Sequence, residues 1–252
     1  MERTEDLIEL CLFMGKIMQQ NGAETYRVED TMTRIAESFG RKESQSYVTP
    51  TGIMFTISPG AHAKLVRVSA RETNLEKVNL ANDVSRKIAS GDMSIHAAYK
   101  ELRHIETSPT DYTMLVQIIS ATLASGFFTI MFRGSWHDFL PACVAGGLGF
   151  IALINFLRLF EIKFVAEFVA SLLIGFTAFS LFSFGIGEEV DKIVVGSIMP
   201  LVPGLLITNA VRDLMAGHLI SGLAKGAEAF LTAFAIGPVS LLCLHYFRDR
   251  EG

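Results

Sequence analysis

The sequence predicts a multi-pass α-helical membrane protein of about five transmembrane helices, the fourth one broken, preceded by a small α/β soluble domain. Half of the 252 residues are hydrophobic and 19% are charged, with a mean hydropathy of +0.38, a balance too apolar for most soluble domains of this length. The apolar excess is also localised. Residues 1–110 are rich in Glu, Arg, Lys, Ser and Thr, whereas residues 111–250 hold apolar runs with short polar breaks.

In the soluble part, Leu7, Cys11, Met14 and Met18 recur at helical spacing between Glu5 and Gln20, which predicts an amphipathic helix ended by Asn21-Gly22. A second helix, from about Ala23 to Phe39, carries Val28, Met32 and Ile35 on one face and stops at Gly40. Three short β-prone runs follow at 46–49, 53–57 and 64–68, separated by Pro50-Thr51-Gly52 and Ser58-Pro59-Gly60, and they read as a small antiparallel sheet. Helical spacing returns at Leu75, Val78, Ala81, Val84 and Ile88, and again from Ile95 to Ile105.

A spanning helix needs about 20 mainly apolar residues. Residues 113–132, 139–157, 164–184, 193–211 and 222–247 meet that length. Positive residues divide evenly between the two sides: Arg158, Lys163, Arg212 and Lys225 against Arg133, Lys192, Arg248 and Arg250. The charged, acidic start MERTEDLIEL lacks the features of a cleavable leader, so the mature chain is expected to begin there. A folded N-terminal domain without a leader belongs in the cytoplasm, and five crossings then put the C-terminus outside the cell membrane.

Several function classes are disfavoured. The net charge of -4 and the absence of a Lys/Arg block leave no footprint for nucleic acid. Cys11, Cys143 and Cys243 stand apart in apolar stretches and read as small hydrophobes, with neither a disulfide framework nor a zinc site indicated. His62, His96 and His104 lack ligand spacing, and Gly146-Gly147-Leu148-Gly149 has no strand before it and no Lys-Ser after it, so neither a metal nor a nucleotide cofactor is expected. Close helix packing is the reading for those glycines, and for Gly222 and Gly226.

The fourth span is the most informative stretch. Pro200 and Pro203 each lack a backbone donor and Gly204 adds freedom, so an unbroken helix is not expected there. Broken helices expose backbone groups to polar solutes in transporters; the plainer alternative is a packing kink. Asn209, Arg212 and Asp213 follow within one turn. Arg212 could hold a carboxylate and Asp213 an ammonium, or the two could pair with each other at the interface. Glu167 and Glu228 are carboxylates at or near membrane depth and candidates for proton coupling, although Lys163, four residues before Glu167, also suits an interfacial pair. In the soluble domain Arg27 can reach Glu24 at i-3, and Thr49 and Thr51 could present hydroxyls or form a plain turn.

The run Asn21-Gly22-Ala23-Glu24-Thr25-Tyr26-Arg27-Val28-Glu29, the turn Thr49-Pro50-Thr51-Gly52-Ile53 and, most specifically, Pro200-Leu201-Val202-Pro203-Gly204 through Asn209, Arg212-Asp213, Gly217 and Ser221-Gly222 resemble the threonine/serine exporter family over nearly the whole chain. The resemblance implies a soluble N-terminal domain, membrane helices and export of a small hydrophilic metabolite, threonine and serine being the named substrates. Long members carry about twice as many spans as this chain. It is therefore similar to the short form, the larger subunit of two-component exporters, which works with a separate small membrane subunit; self-association is the other way to cover five spans. Short members are also associated with dicarboxylates such as succinate. No nucleotide-binding motif is present, so the implied transport is secondary and driven by the proton gradient. A membrane-anchored hydrolase lacks any Ser-His-Asp spacing or GxSxG elbow to support it, so the chain is not read as an enzyme; a regulatory or scaffold subunit is the remaining alternative.

Overall fold

The computed structural model describes residues 4–69, 71–109, 112–160 and 162–248, with side chains as far as Gly237. Arg250 and the side chains of Cys243 and Arg248 lie outside the described residues. The chain forms two compact units, Met1–Asp111 with Leu205–Ala227, and Tyr112–Gly204 with Glu228–Gly252.

The first unit begins with α1 (Thr4–Gln20) and α2 (Thr25–Ser38), continues through β1 (Gln45–Thr49), β2 (Gly52–Thr56) and β3 (Lys64–Arg67), and adds α3 (Leu75–Ala89) and α4 (Ile95–Thr107). The predicted order of two helices, three strands and two helices is present, and the sheet is antiparallel in the order β1-β2-β3. Helix α1 is central: Leu10, Cys11, Met14, Ile17 and Met18 are fully buried, and it packs on α2, α3, α4, β2 and β3. Gly15 lets α2 approach, because a Cβ there would lie 2.6 Å from Met32 Sδ. In β2, Ile53 and Phe55 are buried while Met54 between them is exposed, as a half-buried strand requires. Val48 pairs with Ile53, and Ile53 with Val66. Asn74 caps α3 and Ser94 caps α4, each accepting from a backbone N–H three residues on. Cys11 behaves as a core hydrophobe, and burial pushes its thiol up to about 12.

Two later elements complete this unit: α9 (Gly204–Met215) from Leu205 onward and the first turns of α10 (Leu219–Arg248), as far as Ala227. The chain first leaves this unit after Asp111 and re-enters it at Leu205. Apolar patterning does not signal the return of Leu205–Ala227 to it.

The second unit contains α5 (Met114–Met131), α6 (Trp136–Phe160), α7 (Lys163–Ser183), α8 (Val190–Ile198), a 3-10 turn at Met199–Leu201 and the rest of α10. Among the described residues α5, α6, α7 and Leu219–Gly237 of α10 are each long and apolar enough to cross a membrane; Val190–Leu201 with Gly204–Met215 passes the same test as a broken pair, giving four or five candidate spans. Leu123, Phe127, Leu148, Phe168, Leu172 and Phe176 stand exposed on these helices, which suits lipid and not water. Inside, small residues set the spacing. A Cβ on Gly146 would lie 2.5 Å from Ser125 Cβ, and one on Gly149 would lie 2.6 Å from Ile174 Cδ1.

Candidate functional site

Two motifs that are far apart in the chain meet in the first unit. Gly22, at φ 88, turns the chain out of α1, Glu24 is extended as the N-cap of α2, and Thr25 opens that helix. Such an opening leaves backbone donors without intrahelical partners. Asp213, on α9 and fully buried, satisfies one of them: its Oδ1 accepts from Thr25 N at 3.0 Å and its Oδ2 from Thr25 Oγ1 at 2.8 Å. The carboxylate therefore sits at the positive end of the α2 dipole.

A buried carboxylate also needs a counter-ion. Lys225 on α10 supplies it, with Nζ 2.8 Å from Asp213 Oδ2, and donates to Ala23 O and Thr25 Oγ1, each at 3.4 Å. Arg212 does not pair with Asp213. Its Nη1 lies 2.5 Å from Glu24 Oε1, while Arg27 reaches the other Glu24 oxygen at 3.5 Å. Asn209 Nδ2 donates to Gly22 O at 2.9 Å, and Ser221 Oγ donates to Val48 O at 3.0 Å. Gly217, at φ 87, ends α9, and α10 then folds back closely: a Cβ on Gly222 would lie 2.9 Å from Leu214 N. Gly226 makes only an ordinary contact, with Ala210 Cβ at 3.9 Å from the equivalent point.

Glu29 borders this network, accepting from Val48 N at 2.9 Å with His218 Nδ1 at 3.8 Å. Burial raises its carboxyl above the ordinary 4.5, and Asp213 pushes the same way, against lowering by the Val48 N–H and His218. Because the folded value is raised, this group's contribution to stability is complete below 4.5 and is lost as pH rises through the folded value. Glu29→Gln mimics the protonated acid. It should raise Tm at neutral pH, with the gain disappearing below pH 4.5; a gain that persists in acid is the contrary result.

Thr49 makes a turn, its Oγ1 donating to Gly52 O at 2.9 Å and accepting from Gly52 N at 3.1 Å. Thr51 is exposed and contributes its carbonyl to Val68 N at 2.9 Å.

The remaining candidates lie in the second unit. Residues Met199–Leu201 form a 3-10 turn, and Val202 is extended at φ -68 and ψ 127, the conformation that the following Pro203 imposes. Gly204 N donates to Val202 O at 2.8 Å. Elsewhere in the unit, Lys163 lies 3.9 Å from Glu167 and 3.3 Å from Glu228. Thr232 Oγ1 donates to Glu167 Oε1 at 3.4 Å. The i,i+4 pair with Lys163 forms, yet Glu167 is 4% exposed and its Oε2 has no partner among the described residues. That burial does not suit a carboxylate stretched toward an interface.

Two important residues escaped the sequence reading. Lys225 counted only as an interfacial charge, although a Lys within an apolar segment signals a buried acid partner. Asp138, fully buried, accepts from Ser135 N and Oγ at 2.9 Å and from Glu188 N and Glu189 N at 2.7 and 3.1 Å. It thereby fastens the start of α6 to the loop before α8.

A bundle of long apolar helices joined to a small α/β unit defines a multi-pass helical membrane protein. The family described as "Putative threonine/serine exporter" matches residues 9–245, and the chain belongs to it. Relatives are similar over nearly their full length: the "Probable succinate transporter subunit YjjP" of Klebsiella aerogenes, 25% identical over 93% of this chain and 92% of its own, and the protein of the same name from Escherichia coli, 23% identical over 96% of each. The "Probable threonine/serine exporter" of Mycobacterium tuberculosis is 21% identical over 91% of this chain and 44% of its own. No solved structure matches.

Proposed function

We propose that the chain is one subunit of a secondary exporter for a small carboxylate-bearing metabolite, with threonine or serine as the first reading. The observation that carries the proposal is the helix break at Val202-Pro203 within an apolar segment of a member of this family. A break of that kind frees backbone groups for a polar solute. We assign solute contacts in the second unit to Pro200, Pro203 and Gly204 and, separately, in the first unit to Asn209 and Arg212. The Arg212 side chain is 57% exposed beside Glu24, leaving donors for a substrate carboxylate. Asp213 belongs to the same set of residues in the first unit, its charge balanced by Lys225 and its oxygens hydrogen-bonded by Thr25.

Succinate is the second reading, favoured because both relatives matched over nearly their full length carry that name. Those relatives are called subunits, and the chain spans less than half of the longer exporter, which supports work with a separate small membrane subunit or a second copy. We place the N-terminal unit in the cytoplasm. Glu228 and Glu167, joined through Lys163, are assigned to proton coupling.

Proteoliposomes holding the chain with and without its partner should release labelled threonine, serine or succinate only when the set is complete. Arg212→Ala should cut efflux at least about tenfold, the scale of a lost charge-assisted contact. Glu228→Gln should abolish the dependence on the pH gradient. Absence of efflux of all three solutes in both arrangements overturns the exporter reading. Full transport by Arg212→Ala overturns the site, and an unchanged gradient response in Glu228→Gln overturns the coupling assignment.

A further inference from the structure

We propose that a cleft between α1, β3 and α4 is a second site, one that binds a small anion carrying two carboxylate or two phosphate groups. The cleft has a volume of about 620 Å³, within the usual range for small-molecule sites. Lys16, Lys64, Arg67 and Arg103 line it against only two carboxylates, Glu9 and Glu106. Its sign is thus opposite to that of the whole chain, which carries -4.

Helical periodicity directs the α1 and α4 groups to one place, whereas Lys64 and Arg67, three apart on β3, leave opposite faces of that edge strand and both border the cleft. Glu9 and Lys16 are seven apart on α1, as two turns of helix require, and Arg103 and Glu106 are three apart on α4. Lys16 is held by Glu106 at 3.0 Å and Lys64 by Glu9 at 3.4 Å. Among the described residues Arg67 and Arg103 meet no carboxylate within ion-pair distance, so two guanidinium forks remain for incoming anions. The two acids act as internal counter-ions that a ligand displaces from the lysines. None of the lining residues belongs to the Asp213 network, and occupancy can be read without any transport.

Isothermal titration of the full-length protein in detergent tests this, using succinate for the carboxylate source, inorganic pyrophosphate for the phosphate source, and threonine as a solute without net charge. Succinate or pyrophosphate should bind saturably. The Arg67→Ala/Arg103→Ala double variant should weaken it roughly tenfold or more while leaving the ligand-free Tm unchanged. Glu106→Gln, which removes a competing acid, should tighten it. Lack of binding by both succinate and pyrophosphate overturns the proposal, as does binding that neither variant alters. Binding lost in Arg212→Ala yet intact in the double variant also overturns it, because the ligand then sits at the transport residues.

Discussion

Asp213→Ala is expected to lower the stability of the first unit by about 3–5 kcal/mol, the usual consequence of leaving one member of a buried ion pair alone. Lys225, 5% exposed, would face only Ala23 O and Thr25 Oγ1 at 3.4 Å. The first N–H of α2 and the Thr25 hydroxyl would lose their acceptor as well. Thermal unfolding followed by circular dichroism should show a large fall in Tm. Adding Lys225→Met should recover much of it, because an apolar side chain of similar length removes the unpaired charge. If the single variant melts with the wild type, the pair does not hold α9 and α10 onto α2. If the double variant is no better than the single one, the loss comes from the Thr25 contacts and not from the stranded lysine.

Gly196→Ala should be the most damaging single-methyl change in the second unit. Its Cβ would lie 2.7 Å from the backbone N of Thr129, and it would also strike Thr129 Oγ1. Rotation of a side chain relieves only the second clash. Overpacking costs typically about 1–3 kcal/mol, and a backbone obstruction sits at the upper end because a whole helix has to shift. Size-exclusion profiles and Tm in one detergent should show loss of folded protein. Gly226→Ala, with its open surroundings, should behave as wild type. Thr129→Ala added to Gly196→Ala should rescue only in part. Equal melting of Gly196→Ala and Gly226→Ala would contradict the close approach of α8 to α5.

Much of the architecture was legible because its signals are local. Leu7, Cys11, Met14 and Met18 declare a helix by spacing alone. Two prolines and a glycine declare a break, and the break falls at Val202-Pro203. The network was legible only as a set of residue types. Glu24 and Arg212 lie 188 positions apart, as do Thr25 and Asp213, and no periodicity connects residues at such a separation. The internal pairing of Arg212 with Asp213 was a natural expectation from adjacency. Adjacent helical residues point about 100° apart, however, so each found its own partner. Lys225 went unrecognised because Lys near a span end is ordinarily an interfacial anchor. Asp138 went unrecognised because its acceptors' partners come from a loop 50 residues later.

The return of Leu205–Ala227 to the N-terminal unit has a consequence for biosynthesis. The ribosome finishes residues 1–111 long before it reaches the segment that satisfies Gly22 O, Thr25 N and Val48 O. Everything from Tyr112 to Gly204 is made first, which takes on the order of ten seconds at usual elongation rates. Through that interval the N-terminal unit waits unfinished while α5 to α8 enter the bilayer. Its last hydrogen bonds close only after α5 to α8 have been made, so a fault in placing those helices shows itself as a defect in the N-terminal unit.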